Sequence, residues 1–487
     1  MKKILMIFTL AASVVLPSCN KDYFDINKNP NSADNASAEL VISNAIKTTA
    51  AFQTVTFATQ NEWMGYWAPS GSYAQSATDG ASYYENDLTG DGIWTAYYRN
   101  LEDYDYVEKS ATASSQFYYI AAAKTMKALA FSQLVDLFNN VPYSQALQGT
   151  AALTPKYDAG IDIYTALSTE LGTAVTLFQR ADAIGSPTQD VFFHGDNAKF
   201  AKFANSLRLR LLMRQTEIAG RSAYIQTEMN KIVANGAGFI TADAGVNPGY
   251  SNSTGKLNPF WGFCYNTAGT FTQDFWRAAQ YQITWQSANN DPRYKRQYAP
   301  IGNGTWVGTV AGGVGNPVGS LSSTFGVGTL KSVAQDAIIM TAAESYLLQA
   351  EAILRGYLAG SAQTMFDNGV QASFTYLGSG SSAAYTSQGG NKQTNYAACA
   401  TFAERLACII RQRYVSHNSI TPLEAWADYR RLHLPADVPI SPSGIQPSIP
   451  FRFQYPRSEA QTNSGNLAAQ GLSGSTYHWS AKIFWMP

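Results

Sequence analysis

The 487-residue chain carries 34 lysines plus arginines against 34 aspartates plus glutamates, so no net field draws it to nucleic acid or another polyanion. Charged residues make up only 14%, where soluble domains average about 25%, while 29 Tyr, 24 Phe and 10 Trp make the chain rich in aromatics. That balance suits an uncharged ligand with apolar faces, although most aromatics in any fold are core.

Lys2 and Lys3 precede an apolar run from Ile4 to Leu16, which is too short to span a bilayer and has the length of a signal-peptide core. The run closes on Leu16-Pro17-Ser18-Cys19, the spacing of a bacterial lipobox. Residues 1–18 are therefore expected to be a signal peptide and Cys19 the acylated mature N-terminus. Several acyl chains anchor stably where one holds only marginally. Residues 19–37, rich in Asn, Asp, Lys and Ser, read as a lipidated tether. No later stretch approaches 18 consecutive apolar residues, so the expected topology is a body outside the bilayer, tied to it at one end.

From about residue 38 the pattern is helical. Over 117–138, Tyr119, Ala123, Met126, Ala130, Leu134 and Leu137 step by four and three. Leu129 and Phe131 fall off that face, which predicts packing on more than one side, and Asn139-Asn140 before Pro142 ends the helix. A second helix is predicted over 197–219, with Phe200, Phe203, Leu207 and Leu211 on one face and Arg208 and Arg210 elsewhere. Thr341-Ala342-Ala343-Glu344 has the form of a capping box opening a helix through Tyr346, Ala350, Ile353 and Tyr357. Its expected partner, over 362–376, presents Phe366, Val370 and Phe374. Thr421-Pro422-Leu423-Glu424 repeats the capping logic with Pro at the first helical position. Short antiparallel helix pairs of this kind resemble tetratricopeptide units, without a clean 34-residue period.

Two regions break the pattern. Residues 236–336 are rich in Gly, Asn, Ser and Thr and hold Trp261, Trp276, Trp285 and Trp306. Residues 377–395 read as a flexible loop. The expected architecture is thus mainly α: one helical domain over 38–487 with a loop-rich insertion at about 236–336. Long irregular segments in compact domains are often functional, which makes the insertion a place to look for binding.

Catalytic chemistry is sparse. Gly249 to Gly255-Lys256 has one residue too many for a phosphate loop, and Leu257 stands where Ser or Thr must bind magnesium. Asp87-Leu88-Thr89-Gly90-Asp91-Gly92 opens like a calcium loop, but its twelfth position is Tyr98, and a turn is the better reading. His194, His417, His433 and His478, with Cys264, Cys399 and Cys408, offer no zinc-site spacing, and the three cysteines are expected as buried free thiols. No catalytic residue, metal or cofactor is assigned, and the acids Glu102 and Asp103, or Glu424 and Asp428, read as helix surface or as partners in structural ion pairs with basic residues.

Several blocks, in order, are similar to the SusD/RagB family of outer-membrane lipoproteins, in its starch-binding-associated branch. They are Asp25 to Asn31, Trp94 with Tyr97 to Leu101, and Asp136-Leu137-Phe138 through Val141-Pro142-Tyr143 to Ala146-Leu147. Lys199-Phe200 with Lys202 to Arg210, Glu344 to Ala352, Ile410 to Tyr414 and Glu424 to Arg431 continue the match, and Arg452, Tyr455-Pro456, Glu459, Asn463 and Asn466 close it. The resemblance implies a tetratricopeptide-type helical scaffold. It also implies a non-enzymatic role at the cell surface as the lid of a SusC-type TonB-dependent transporter, delivering oligosaccharide or, in some members, peptide. A structural protein of adhesion or assembly and a surface glycosidase are the competing classes. Trp426, Tyr429 and Arg431 are expected to be core.

Sugars present flat C–H faces and many hydroxyls, so their sites combine aromatic platforms with polar partners. One candidate runs from Glu62-Trp63 through Tyr66-Trp67 to Tyr73-Ala74-Gln75. The other lies in the insertion: Trp276, Tyr281, Trp285 and Trp306, with Gln280, Gln282 and Asn289. Trp63 and Trp67, at i and i+4, read equally well as a buried helical stripe.

Overall fold

Helix starts and stops account for the main elements of the computed structural model, which describes residues 36–487 other than 54, 74–78 and 473. The signal-peptide and lipidation expectations, Cys19 included, lie outside the described residues, as does most of the tether. The chain opens with α1 (Ala38–Phe52), α2 (Ala58–Trp63) and the short strand β1 (Trp67–Pro69). Helices α3 (Asp91–Ala113) and α4 (Phe117–Phe138) then form a hairpin across residues 114–116, where Ser115 takes φ +56°. Helix α4 is buried on nearly every side, and Ala121, Ala122 and Ala123 have no exposed surface, so neighbouring helices approach its backbone closely. It ends as expected at Asn139, which adopts φ +68°.

Strands β2 (Val141–Pro142) and β3 (Tyr157–Asp158) pair antiparallel, and the Asp158 carboxylate accepts from the backbone N–H groups of Tyr143 and Ser144. Helices α5 (Gly160–Phe178), α6 (Asn197–Arg214) and α7 (Ser222–Ala234) continue the array, each packed on its predecessor. The helix predicted over 197–219 is shorter. It starts at an Asp196 cap that accepts from Lys199 N–H but stops at Arg214, where the chain enters turns ending at Gly220 with φ +79°.

Strand β4 (Ala244–Val246) pairs with β6 (Ala337–Met340) and so clasps the two ends of the irregular segment. Within it, β5 (Trp276–Ala278) pairs antiparallel with β1, setting Trp67 opposite Ala278 and Pro69 opposite Trp276, and leads into α8 (Gln280–Ala288). Phe260, Cys264, Phe325 and Leu330 join the main hydrophobic core, so the segment is built into the compact unit Ala38–Pro487.

Helices α9 (Ala342–Leu354) and α10 (Ala362–Leu377) form the expected pair, followed by α11 (Phe402–His417) and α12 (Pro422–Leu432). The fold is mainly helical, with helix pairs of the tetratricopeptide kind. Residues 377–395 are a correction to the sequence reading. They contain a short helix, Ala383–Thr386, and Tyr385 is buried because its hydroxyl accepts from Gln412 Nε2 at 2.9 Å and Arg293 Nη2 at 3.3 Å.

The capping expectations divide in the same instructive way. Thr341 caps α9 through its hydroxyl, but the Glu344 carboxylate turns inward to Arg210 Nε at 2.7 Å. The Thr421 hydroxyl pairs with His417 Nδ1 at 2.7 Å and does not cap α12, while Glu424 meets Arg210 and Arg214. The complete capping box is at Thr401 and Glu404, on α11. Burial explains the difference: an acid within reach of a buried guanidinium serves the larger electrostatic demand.

These acids belong to a network that ties α4, α6, α9, α11 and α12 together. Asp136 pairs with Arg214 and accepts from Trp485 Nε1 at 3.0 Å. Glu351, fully buried, meets Arg431 at 2.6 Å, Arg355 at 2.9 Å and Arg413 at 3.0 Å, and Arg413 also holds Asp428. Trp426 and Arg431 are core, as expected, and Tyr429 is half-buried.

An aromatic cavity on helix α8

Helix α8 inverts the usual burial rule. Its inward face carries Gln282, Ile283 and Gln286, with Gln282 Nε2 donating to Tyr414 Oη at 2.7 Å and Gln286 Nε2 to Gln297 Oε1 at 2.8 Å. Its outward face, at the i, i+1, i+4, i+5 spacing of one helical stripe, carries Gln280, Tyr281, Thr284 and Trp285. That face forms one wall of a cavity of about 510 Å³. Residues 309–311 form a second wall and Pro439, Ile440 and Ser441 a third, and Glu62, Gly65, Trp67, Gly80 and Tyr83 also line the cavity.

Local backbone chemistry sets these walls. Gly65 has φ +63°, and a Cβ there would lie 2.8 Å from Pro439 Cγ and 3.3 Å from Tyr281 Cδ1, so only glycine lets the three segments converge. The Gln280 side chain accepts from Gly308 N–H at 2.9 Å, fixing the second wall to the start of α8.

Trp285 is half-buried, with one ring face covered by the Arg411 guanidinium at 4.5 Å. Arg411 also donates to Tyr281 Oη at 2.8 Å and pairs with Asp437. Burial alone would lower the pKa of Arg411, but Tyr281 and Asp437 outweigh it and the group stays charged. Burial pushes the hydroxyls of Tyr281 and Tyr83 up to about 12, so both remain protonated donors. Tyr83 Oη accepts from Ser441 N–H at 2.7 Å, which leaves its own proton to give. The arrangement is a flat aromatic surface bordered by directional polar groups in a mostly apolar recess, the composition expected of a binding pocket.

The sequence candidates separate sharply. Trp285 lines the cavity, with Tyr281 and Gln280. Trp63 is corrected to core, and Trp67 is buried. Trp63 is 1% exposed, donates to Gly80 O at 3.1 Å and packs edge-on against Trp426 at 5.1 Å. Trp67 has no exposed surface, donates to Ser419 Oγ at 2.7 Å and stacks on Phe260, yet it also lines the cavity. Trp276 is half-buried in the strand pair against Trp67. Trp306 donates to Tyr298 O at 2.9 Å and packs on Tyr294, away from the cavity. Tyr73 is exposed and meets Phe275 edge-on, also outside the cavity, and Ala74 and Gln75 lie outside the described residues. Asn289 bonds Asn391, and Gln282 faces inward.

A direct consequence is that Trp63→Ala should destabilise the protein by about 3–5 kcal/mol, the usual cost of emptying a core tryptophan site. Urea unfolding measures it; a loss below about 1 kcal/mol would contradict the core assignment.

Sequence reasoning missed Tyr83, Arg411, Asp437 and the segment 439–441. The Pro-rich composition after Pro435 gave no signal of a site, and Arg411 sat in a block that reads as architectural. A second cavity, of about 530 Å³, lies between α3 and residues 145–155. Its tryptophan, Trp94, is 5% exposed and enclosed by Tyr98 and Phe138, so it presents no comparable aromatic face.

A SusD-like family model, described as starch-binding and associating with the outer membrane, matches residues 30–456. Among solved structures, the chain is similar to a SusD-like protein from Bacteroides thetaiotaomicron, at TM-score 0.75 and 20% identity over 91% of this chain and 98% of that one. It is similar to a chitin-binding SusD homologue from Flavobacterium johnsoniae, at TM-score 0.74 and 23% identity over 91% and 98%. A SusD homologue from Bacteroides uniformis gives TM-score 0.76 and 21% identity over 93% and 100%. No curated protein matches the chain at a significant level.

Proposed function

The chain belongs to the SusD/RagB family, and on that premise we propose that it is a nutrient-binding lipoprotein of the outer-membrane surface. In this reading Cys19 carries the lipid, the α8 cavity captures an oligosaccharide without hydrolysing it, and the sugar passes to a SusC-type TonB-dependent transporter. The observation that carries the reading is the inversion of α8, which buries Gln282 and Gln286 while turning Tyr281 and Trp285 toward a cavity. Exposing aromatic surface while satisfying buried amides costs free energy in the absence of a ligand, and stacking on a sugar face offsets that cost. The starch-binding description of the family and the chitin-binding relative point to the same ligand class.

Two measurements test this. The purified protein should bind at least one oligosaccharide family in a glycan-array and calorimetry screen and return it unshortened. The acylated protein, solubilised from native outer membrane, should bring down a large β-barrel in equal stoichiometry. A clean monomer, in detergent that preserves known barrel complexes, would remove the transporter from the proposal, and sugar shortening would remove the non-enzymatic role.

A further inference from the structure

Among the residues that line the α8 cavity is a buried carboxyl with one unpaired oxygen. Glu62 is 4% exposed and lines the cavity, yet its Oε1 has no hydrogen-bond partner among the described residues. Its Oε2 rests close to Gly80, where a Cβ would stand 2.1 Å away. A buried carboxyl left unpaired by its own protein normally costs stability. Here the unpaired atom is itself closed to solvent, but it belongs to a side chain that lines the same recess as Trp285 and Tyr83.

We propose that Glu62 is a ligand-contacting residue that makes the cavity selective for uncharged saccharide units over acidic ones. The inference rests on the reading of the cavity as a saccharide site. Burial pushes the Glu62 carboxyl up to about 8, so at neutral pH it is a carboxylic acid that donates a hydrogen bond to a sugar oxygen. Among the described residues lining the cavity there is no lysine or arginine, and Arg411, which packs on Trp285, is already committed to Asp437 and Tyr281. A uronic acid would bring a second carboxyl into this apolar recess with no free counter-charge, and an anion desolvated without a partner is strongly disfavoured. Glycan hydroxyls, ring oxygens and amide carbonyls meet no such penalty.

Burial keeps the tyrosines near Glu62 protonated over the range that matters. Tyr83 is raised to about 12 by burial, Tyr429 of α12 is raised likewise, and Asp437 across the cavity is ion-paired with Arg411. Binding of a neutral sugar should therefore hold below pH 8 and weaken above it, as the donated proton is lost.

The test is calorimetric titration of the purified protein with neutral malto-, chito-, manno- and xylo-oligosaccharides and with oligogalacturonides of matched length. The neutral ligand that binds should exceed the acidic series by at least about tenfold, the worth of one unpaired charge or lost hydrogen bond. Glu62→Ala should weaken that ligand by about tenfold. Glu62→Gln, which keeps an uncharged donor in the same shape, should bind within about threefold of the parent at pH 7 and lose the decline above pH 8. Equal binding of acidic and neutral sugars, or a Glu62→Ala protein indistinguishable from the parent, would overturn the inference and leave the cavity as a saccharide site. If no glycan binds the folded parent protein, the saccharide reading falls and this inference with it.

Discussion

Trp285→Ala is expected to reduce oligosaccharide binding by at least about 30-fold, a loss of about 2 kcal/mol or more, the scale of an aromatic hot spot. The melting temperature should stay within about 2 °C of the parent, as expected of a substitution outside the close-packed core. Trp285 is half-buried on the outward face of α8, whereas the helix is held to the body by Gln282, Ile283 and Gln286 on the other side. The indole supplies area for a sugar ring, and the Arg411 guanidinium at 4.5 Å fixes its plane. Trp63→Ala should give the opposite pattern, with stability falling first and binding only in consequence. Calorimetry and thermal unfolding on both variants separate the two roles. If Trp285→Ala melts early and binds normally, the tryptophan is core and the cavity loses its platform.

Glu351→Gln should be among the most damaging single substitutions in the helical array, costing about 3–5 kcal/mol. The carboxylate is fully buried and answers three guanidiniums, those of Arg355, Arg413 and Arg431. Burial alone would raise its pKa, but the three arginines hold it far below the usual carboxylate range. Removing it leaves buried positive charges that Asp428 cannot balance alone, and such uncompensated charge is what makes a broken buried pair costly. Asp182→Asn, at an exposed pair with Arg180, should leave the denaturation midpoint unchanged and serves as the control.

The same network sets the response to acid. Glu424 is held at about 2 by Arg210 and Arg214 against the raising effect of burial, and Glu351 lies lower still. Both lie below the ordinary glutamate value of 4.5, so their contribution is complete above about pH 4.5 and is lost as pH falls toward 2. Burial lowers His417 to about 3 from the ordinary histidine value of 6.5, so its cost also grows on acidification, beginning nearer neutrality. Urea midpoints measured between pH 7 and 3 should fall monotonically from these groups. A flat profile would mean that the network titrates as it does in the unfolded chain. A change of less than about 1 kcal/mol in Glu351→Gln would show that the arginines find other partners.

The α4 and α9–α10 helices were legible because a helix writes its buried stripe at a period of 3.6 residues, and stops such as Asn139-Asn140 are local chemistry. The order of blocks from Trp94 to Asn466 carried the family. The purpose of the polar residues was harder to see. Thr341 and Glu344 obeyed the capping pattern by half, because the acid had a guanidinium from α6 within reach, and nothing in the local sequence records that neighbour. The run 377–395 looked unstructured by composition, yet Tyr385 orders it through Arg293 and Gln412, which are remote in the chain.

The sequence by itself determined the helical scaffold, the lack of a charge field for polyanions, and a set of aromatics among which a ligand platform could lie. Only the tertiary structure decided that Trp285 faces a cavity while Trp63 fills the core. It alone brought Glu62, Tyr83, Tyr281 and Asp437 to one recess from distant parts of the chain. The reason is physical. Burial and ligand stacking both select a large flat apolar side chain, so residue type cannot separate them, and the separating quantity is which surface remains open after every helix has packed.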